Sequence, residues 1–337
     1  MNPETPIVLI ATSLSKASDQ VVRTGVRIAR AAGARIHLVH AYGLTMLYSG
    51  AAMGGGVYLP ELIEAESASR LQRLEDQAWR LGIQREELQG LIALEGAPHR
   101  VVVETAAGAG AGLIVMGAAE SWGSLSKLLG STADRVVRAA TCPVLALRGE
   151  LELPPRRVLI AIDLSRASGD AMVRGLRVLA AIGAGPGGRP RTAIEALYVA
   201  ETTLLEAVLP TVDPRQVEAD AGKELDRFIA AHLPEPGWRV SGRVRSAGAA
   251  DREILGRCAE AAPDLVVLGT HGRSGFERFL IGSVAESVMR HAQGSVLIIP
   301  PHCAADAAHA AHAAHAADSA GEDAARGPAR GPVAVTG

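Results

Sequence analysis

Apolar residues in this chain keep two rhythms, and the rhythms take turns. Ile7–Ser13 is a short apolar run without alternation, as expected of a parallel strand covered on both faces. Asp19–Ala32 then carries Val22, Val26 and Ala29 at helical spacing, and Gly33 stops it in the usual C-terminal place. Arg35–Ala41 predicts a second strand, and residues 43–58, rich in Gly and Ala, a loop. Glu61–Leu81 reads as a long amphipathic helix ended by Gly82. Strand Gln89–Leu94, helix Pro98–Ala107 opened by proline, strand Gly112–Met116, helix Ser131–Ala140 and strand Val144–Leu147 complete the first half. The second half repeats the order, with strands at 157–163, 192–199, 238–246, 264–269 and 296–299 and helices at 167–182, 213–232, 249–261 and 283–292. Strands that alternate with helices imply right-handed crossovers and a parallel sheet. Each half is therefore expected to be an α/β doubly wound domain.

The repetition extends to residues. Leu113-Ile-Val-Met-Gly117 answers Leu265-Val-Val-Leu-Gly269, and Gly130-Ser131 answers Gly282-Ser283, both at an offset of 152 residues. Val8–Ser15 answers Val158–Ser165 at an offset of 150. A repeat this long indicates duplicated domains, since solenoid periods run to roughly 20–50 residues. The second half also holds the most informative motif of the chain. Gly269-Thr-His-Gly272 follows a buried-strand run, and Gly282-Ser283 follows after nine residues and opens a helix. Two glycines three apart let the backbone turn and approach a ligand with no Cβ in the way. The first N–H groups of a helix lack internal partners. Strand, glycine loop and helix N-terminus together form the general construction of a phosphate site.

The Gly-x2-Gly-x9-Gly-Ser spacing, Asp163 at the end of the first strand and the closing Ser295–Ile299 strand resemble the universal stress protein family. The resemblance covers about residues 5–148 and 156–300, and the second half matches every motif position. It implies the strand order 3-2-1-4-5 in each half, ATP as the usual ligand, and adenine beside the Val199 backbone. It also implies that the halves pair through their last strands, Val144–Leu147 and Val296–Ile299, as a pseudo-dimer within one chain. Whether two chains assemble further into a homodimer stays open. Glu150–Arg157, stiffened by Pro154-Pro155, is the linker, and at roughly 3.3–3.6 Å per residue it keeps the halves close.

In an open α/β sheet the ligand sits beyond the carboxyl ends of the strands at the switch point. That edge is expected to gather Asp163, Val199, Gly269, Gly272, Gly282 and Ser283. Backbone N–H groups around the glycines would cradle phosphates, the Ser283 hydroxyl would donate one bond, and Asp163 would accept from a ribose hydroxyl or adenine amine. The expected ligand is ATP or a related adenine nucleotide, with or without Mg2+. Each residue also has a plainer role: Asp163 as the cap of the following helix, Gly282-Ser283 as turn and cap. His271 and Arg273 either touch phosphate or are merely solvated. A Ser283, His271, Asp163 triad has no nucleophile elbow behind it. The glycine pair matches a KH loop on paper, but the strand order and the neutral charge oppose that.

The first half carries two lesions. Ser13 stands where Asp163 stands, and Glu120 replaces the second loop glycine in Gly117-Ala-Ala-Glu120. A carboxylate about 4 Å from a phosphate costs roughly 1 kcal/mol in water and ~4 at an effective dielectric of 20. A side chain forced to positive φ adds roughly 1–2 kcal/mol, and a lost charged acceptor roughly 1.5–3. At 1.4 kcal/mol per decade, the first half should bind an anionic nucleotide on the order of a hundredfold more weakly. The plainer reading is drift in a half kept for its contact with the other.

Composition narrows the classes further. A length of 337 residues suits two domains, and aromatic residues make up only 3%, so the core should be aliphatic. A net charge of −2 opposes general nucleic-acid affinity. No apolar run reaches about 18 residues, so no spanning helix is expected. The first residues lack the basic region of a secretory signal, and Cys142, Cys258 and Cys303 are too scattered for a disulfide framework. A reducing cytoplasm is the expected location. Cys142 and Cys258 read as buried small residues. Residues 301–337, rich in Ala and His, cannot bury a core and are expected to be disordered; His309, His312 and His315 there raise metal binding as an alternative. Gly-x4-Gly-Lys-Ser/Thr is absent, which excludes a P-loop NTPase. Three functions remain: a nucleotide-binding stress or signalling protein, a slow ATPase, and a nucleotide-free scaffold.

Overall fold

The structure, a computed structural model, describes residues 5–43, 60–118, 131–185, 192–201, 214–270 and 281–301. The first half runs β1 (Ile7–Ala11), α1 (Lys16–Ala31), β2 (Arg35–Tyr42), α2 (Pro60–Arg80), β3 (Leu88–Glu95), α3 (Pro98–Ala109), β4 (Leu113–Gly117), α4 (Ser131–Ala139) and β5 (Val144–Leu147). The second runs β6 (Arg157–Ile162), α5 (Arg166–Leu179), β7 (Ala193–Glu201), α6 (Pro214–Ala231), β8 (Val240–Ala247), α7 (Ala250–Ala261), β9 (Leu265–Gly269), α8 (Ser283–His291) and β10 (Ser295–Ile299). Every predicted strand and helix is present, with ends shifted by a few residues. β1 stops at Ala11, two residues before the end of the apolar run, because Thr12 and Ser13 already belong to the turn into α1. α5 stops at Leu179, and a wider turn over Ala180–Ala184, with Gly183 at φ +88°, carries the chain away.

The strands form one ten-stranded sheet in the order β3-β2-β1-β4-β5-β10-β9-β6-β7-β8. Each half thus has the order 3-2-1-4-5. All neighbours within a half are parallel; β5 and β10 alone pair antiparallel, with Leu145 opposite Leu297. The unbroken apolar strands β4, β5, β9 and β10 occupy the middle of the sheet, buried on both faces. α1, α2, α5 and α6 cover one face, and α3, α4, α7 and α8 the other. Both apolar layers run through both halves without a break at the β5–β10 seam. As expected, the core is aliphatic, and Cys142 and Cys258 are buried in it.

Two glycines let the helices beside the central strands lie close. A Cβ on Gly25 of α1 would come within 2.7 Å of Ile10, and one on Gly175 of α5 within 2.6 Å of Val267. Neither distance is tolerable without movement, so α1 and α5 sit deep against the sheet. Their N-termini, held by Ser15 and Ser165, frame the strand ends where order reverses: β1 between β2 and β4, and β6 between β7 and β9.

Candidate functional site

A cleft of about 300 Å³ opens at the carboxyl ends of β6 and β9. Asp163, Val199, Gly269, Gly282 and Ser283 all line it, as expected from sequence. Gly272, His271 and Arg273 lie outside the described residues.

The β6–α5 turn explains how Asp163 is held. β6 ends at Ile162, and Leu164 takes a left-handed conformation at φ +62°, which costs a branched residue roughly 1–2 kcal/mol. The Ser165 backbone N–H donates to Asp163 Oδ1 at 2.9 Å. Ser165 caps α5, its Oγ accepting from the Ser168 N–H at 3.1 Å. The helix cap is therefore Ser165, and Asp163 closes the turn before it with its carboxylate on the cleft wall. Pattern reading could not separate the two roles, since Asp163 and Ser165 are both good caps two residues apart.

The opposite wall is built after β9. Gly269 lies opposite Ile299 in the ladder. The buried Thr270 donates its N–H to the Ile299 carbonyl at 3.1 Å and accepts the Gly282 N–H at 2.8 Å. That bond ties the end of β9 to the start of α8. Thr270 was not among the expected site residues, and the only sequence signal for it is its place directly after Gly269.

Gly282 caps α8 at φ −59° and ψ 143°, a conformation open to any residue, and among the described residues no side chain caps this helix. The first helical bond runs from the Glu286 N–H to the Gly282 carbonyl at 2.9 Å. The N–H groups of Ser283, Val284 and Ala285 thus precede the helical ladder. A Cβ on Gly282 would meet only the Thr270 carbonyl, at an ordinary 3.5 Å. The fold does not require glycine here; its absence of side chain leaves room before amides that no described side chain caps, which fits an anion with the positive end of the helix dipole behind it. Ser283 is exposed at the mouth.

Val199 stands one residue past the last β6–β7 pair, Ile162 opposite Tyr198. Its edge toward β6 therefore continues beyond the ladder into the cleft. Ala250 and Ile254 of α7 and Leu268 of β9 supply the apolar wall. None of these three was singled out from sequence, because their spacing is that of ordinary core residues.

The first half has a cleft of about 270 Å³ in the same place. Leu14 is left-handed at φ +60°, matching Leu164. Here the turn is fastened differently. The Leu14 N–H donates to Thr12 Oγ1 at 3.1 Å, and Thr12 Oγ1 lies 2.9 Å from both Ser18 Oγ and Gln77 Oε1. Ser13, in the position of Asp163, meets Ser15 Oγ at 2.9 Å. Gly117 keeps the register of Gly269, opposite Leu147. Glu120 and Gly130 lie outside the described residues.

Two doubly wound units with a cleft at each switch point, joined edge to edge, define a tandem α/β architecture. The pattern of the universal stress protein family matches residues 5–148 and 155–300, and the chain belongs to that family. Universal stress protein MJ0531 of Methanocaldococcus jannaschii is 30% identical over 143 residues, 42% of this chain and 81% of that protein. A universal stress protein of Mycolicibacterium smegmatis is 26% identical over 306 residues, 87% of this chain and 97% of that one, so the tandem arrangement extends through a whole relative. The crystal structure of a universal stress protein from Archaeoglobus fulgidus superposes with a TM-score of 0.58 at 19% identity, covering 89% of this chain and 100% of that one, a likeness of fold. Among the described residues no helix is long and apolar enough to cross a membrane.

Proposed function

We propose that the second half binds one ATP or related adenine nucleotide per chain, with or without Mg2+, and that occupancy alters conformation or partner choice in a cytoplasmic stress or signalling role. One observation carries the reading: among the described residues no side chain caps the amides at the start of α8, and Gly282 leaves space before them without being needed by the backbone. Phosphates would sit against those amides, with Gly269 and Gly272 presenting no side chain at their positions in the loop and the Ser283 hydroxyl donating. Asp163 would take a ribose hydroxyl or the adenine amine, and the backbone of Val199 would lie along the base. Magnesium, when bound, would neutralise phosphate charge. The first half keeps the cleft but has Ser13 for the carboxylate and Glu120 for the loop glycine, so the tight site is the second.

Equilibrium titration with ATP tests this. One tight equivalent per chain is expected, and two tight equivalents or none at millimolar ATP would overturn it. Phosphate release above background, lost in Asp163→Ala, would instead mark a slow ATPase.

A further inference from the structure

α8 starts at the second cleft and ends against the first half of the chain. Arg148 directly follows β5, and its backbone N–H donates to Ser295 Oγ, at the start of β10, at 3.1 Å. Its Nη2 donates to the Met289 carbonyl at 2.5 Å and to the Arg290 carbonyl at 3.3 Å. Both carbonyls belong to the last turn of α8, where the helix offers them no partner of its own. The side chain is half-buried, and burial pushes the guanidinium below its usual value. A guanidinium still keeps its charge near neutral pH. A held cation therefore sits on the negative end of the α8 dipole.

This bond breaks the symmetry between the halves. The ion pairs across the seam form a matched set. Asp134 answers Glu286 and Arg138 answers Arg290, each at an offset of 152 residues. Arg138 reaches Glu286 as Arg290 reaches Asp134. At the same offset Arg148 answers Pro300, which has no side-chain donor. Pro300 instead accepts from Arg174 Nη1 at its carbonyl, at 3.2 Å. The first half thus grips a helix of the second with a bond that Pro300 cannot return, and the gripped helix is the one whose start lines the second cleft. α8 is fastened at its start to Thr270, midway by Ser287 Oγ donating to Asp251 Oδ2 at 2.7 Å, and at its end to Arg148. Its nine residues span about 14 Å at 1.5 Å per residue. Exposed charges are largely screened beyond about 8 Å at physiological salt, but a partly buried charge is screened much less. Ala285, Val288 and Met289 bury α8 against the sheet along that path.

We propose that Arg148 is a positioning residue for the nucleotide site of the second half. From the first half it fixes the end of α8 and adds positive potential where phosphates bind, so that it favours ligands by their phosphate charge. This inference rests on the nucleotide reading above. It gives the first half a use that needs no ligand of its own: it completes the site of the second.

The test is equilibrium dialysis of labelled ATP against the full chain, with unlabelled adenosine as competitor. Adenosine has the base and sugar without phosphate, so it reads the site without the start of α8. Arg148→Gln keeps a donor for the carbonyls and loses the charge. It should weaken ATP binding about three- to tenfold and leave the adenosine competition constant unchanged. Arg148→Lys, which keeps the charge, should stay within about twofold of wild type for ATP. Arg148→Met takes the place of the Gln variant if that one does not fold. Equal losses for ATP and adenosine would show a merely structural role and overturn the proposal. Unchanged ATP affinity in the folded uncharged variant, or a Lys variant as weak as the uncharged one, would overturn it too, and either would leave the nucleotide reading standing. A wild-type chain that retains no labelled ATP would overturn the nucleotide reading itself, and this inference with it.

Discussion

Asp163 and Ser13 occupy the same turn, after strands of the same register and before leucines of the same left-handed backbone. The difference between the halves is therefore chemical and local. In the second half, the account gives the loop glycines one purpose, to keep side chains and charge from a bound phosphate. Gly272→Glu should copy the first half's lesion and weaken ATP binding at least on the order of a hundredfold, read by calorimetric titration; unchanged affinity would mean the loop does not face the phosphates. A second prediction concerns Cys258, where burial raises the thiol to about 11 against the opposing charge of Arg257. The unfolded thiol titrates near 8.5. A folded value above the unfolded one stabilises fully below the lower value and loses that contribution as pH rises toward the upper. Wild type should therefore lose up to ~3 kcal/mol of stability between about pH 8.5 and 11 that Cys258→Ala does not lose, measured by urea denaturation at several pH values. Parallel pH profiles would refute the assignment.

At this scale the site was partly legible. Asp163, Val199, Gly269, Gly282 and Ser283 were expected at one edge from the strand ends, the glycine spacing and the family resemblance, and all five line the cleft. Ser165 as the helix cap and Thr270 as the tie between β9 and α8 were not, since both act through their hydrogen bonds, which composition and spacing do not carry. Ala250 and Ile254 escaped because an apolar residue facing a ligand and one facing the core look alike in a sequence.

At the scale of elements, caps and seams decide where stability lies. α3 ends on Gly110 at φ +64°, whereas its counterpart α7 ends on Ala262 at φ +43°. Alanine in that conformation is strained by roughly 1–2 kcal/mol, offset by about 0.4–1 from the freer unfolded glycine. Ala262→Gly on this exposed residue should thus stabilise the chain by up to about 1 kcal/mol in thermal or urea unfolding; a loss would contradict the cap reading. The helices were legible to within a few residues because their apolar stripes are strongly periodic. The wide turn at Ala180–Ala184 was not, because Gly183 breaks the helix only after three further residues with helical propensity.

At the scale of the molecule, ion pairs and an apolar strand seam are among the contacts that join the halves. Arg138 of α4 bonds its own Asp134 and reaches Glu286 of α8 at 3.2 Å, while Arg290 bonds Glu286 and reaches Asp134 at 3.7 Å. These groups are partly exposed, and such pairs contribute about 0–1 kcal/mol each. The β5–β10 seam buries Leu145 against Leu297 almost completely, and truncating a buried leucine costs about 2–5 kcal/mol. Leu145→Ala should therefore destabilise the chain several times more than Glu286→Ala, compared by urea denaturation; the reverse order would make the ion pairs the principal bond. The strand order and the pairing of the halves through their last strands came from family resemblance, because one sequence's periodicity says which segments are strands and not which are neighbours; the antiparallel sense of that pairing comes from the structure.

We propose that the amides at the start of α8, opposite Asp163, hold an adenine nucleotide. A crystal structure of the full chain grown with ATP tests it most directly. Phosphate density is expected within hydrogen-bonding distance of the Ser283 and Val284 amides, with a ribose or adenine edge at Asp163. An empty second cleft, or ATP bound only in the first, would contradict it.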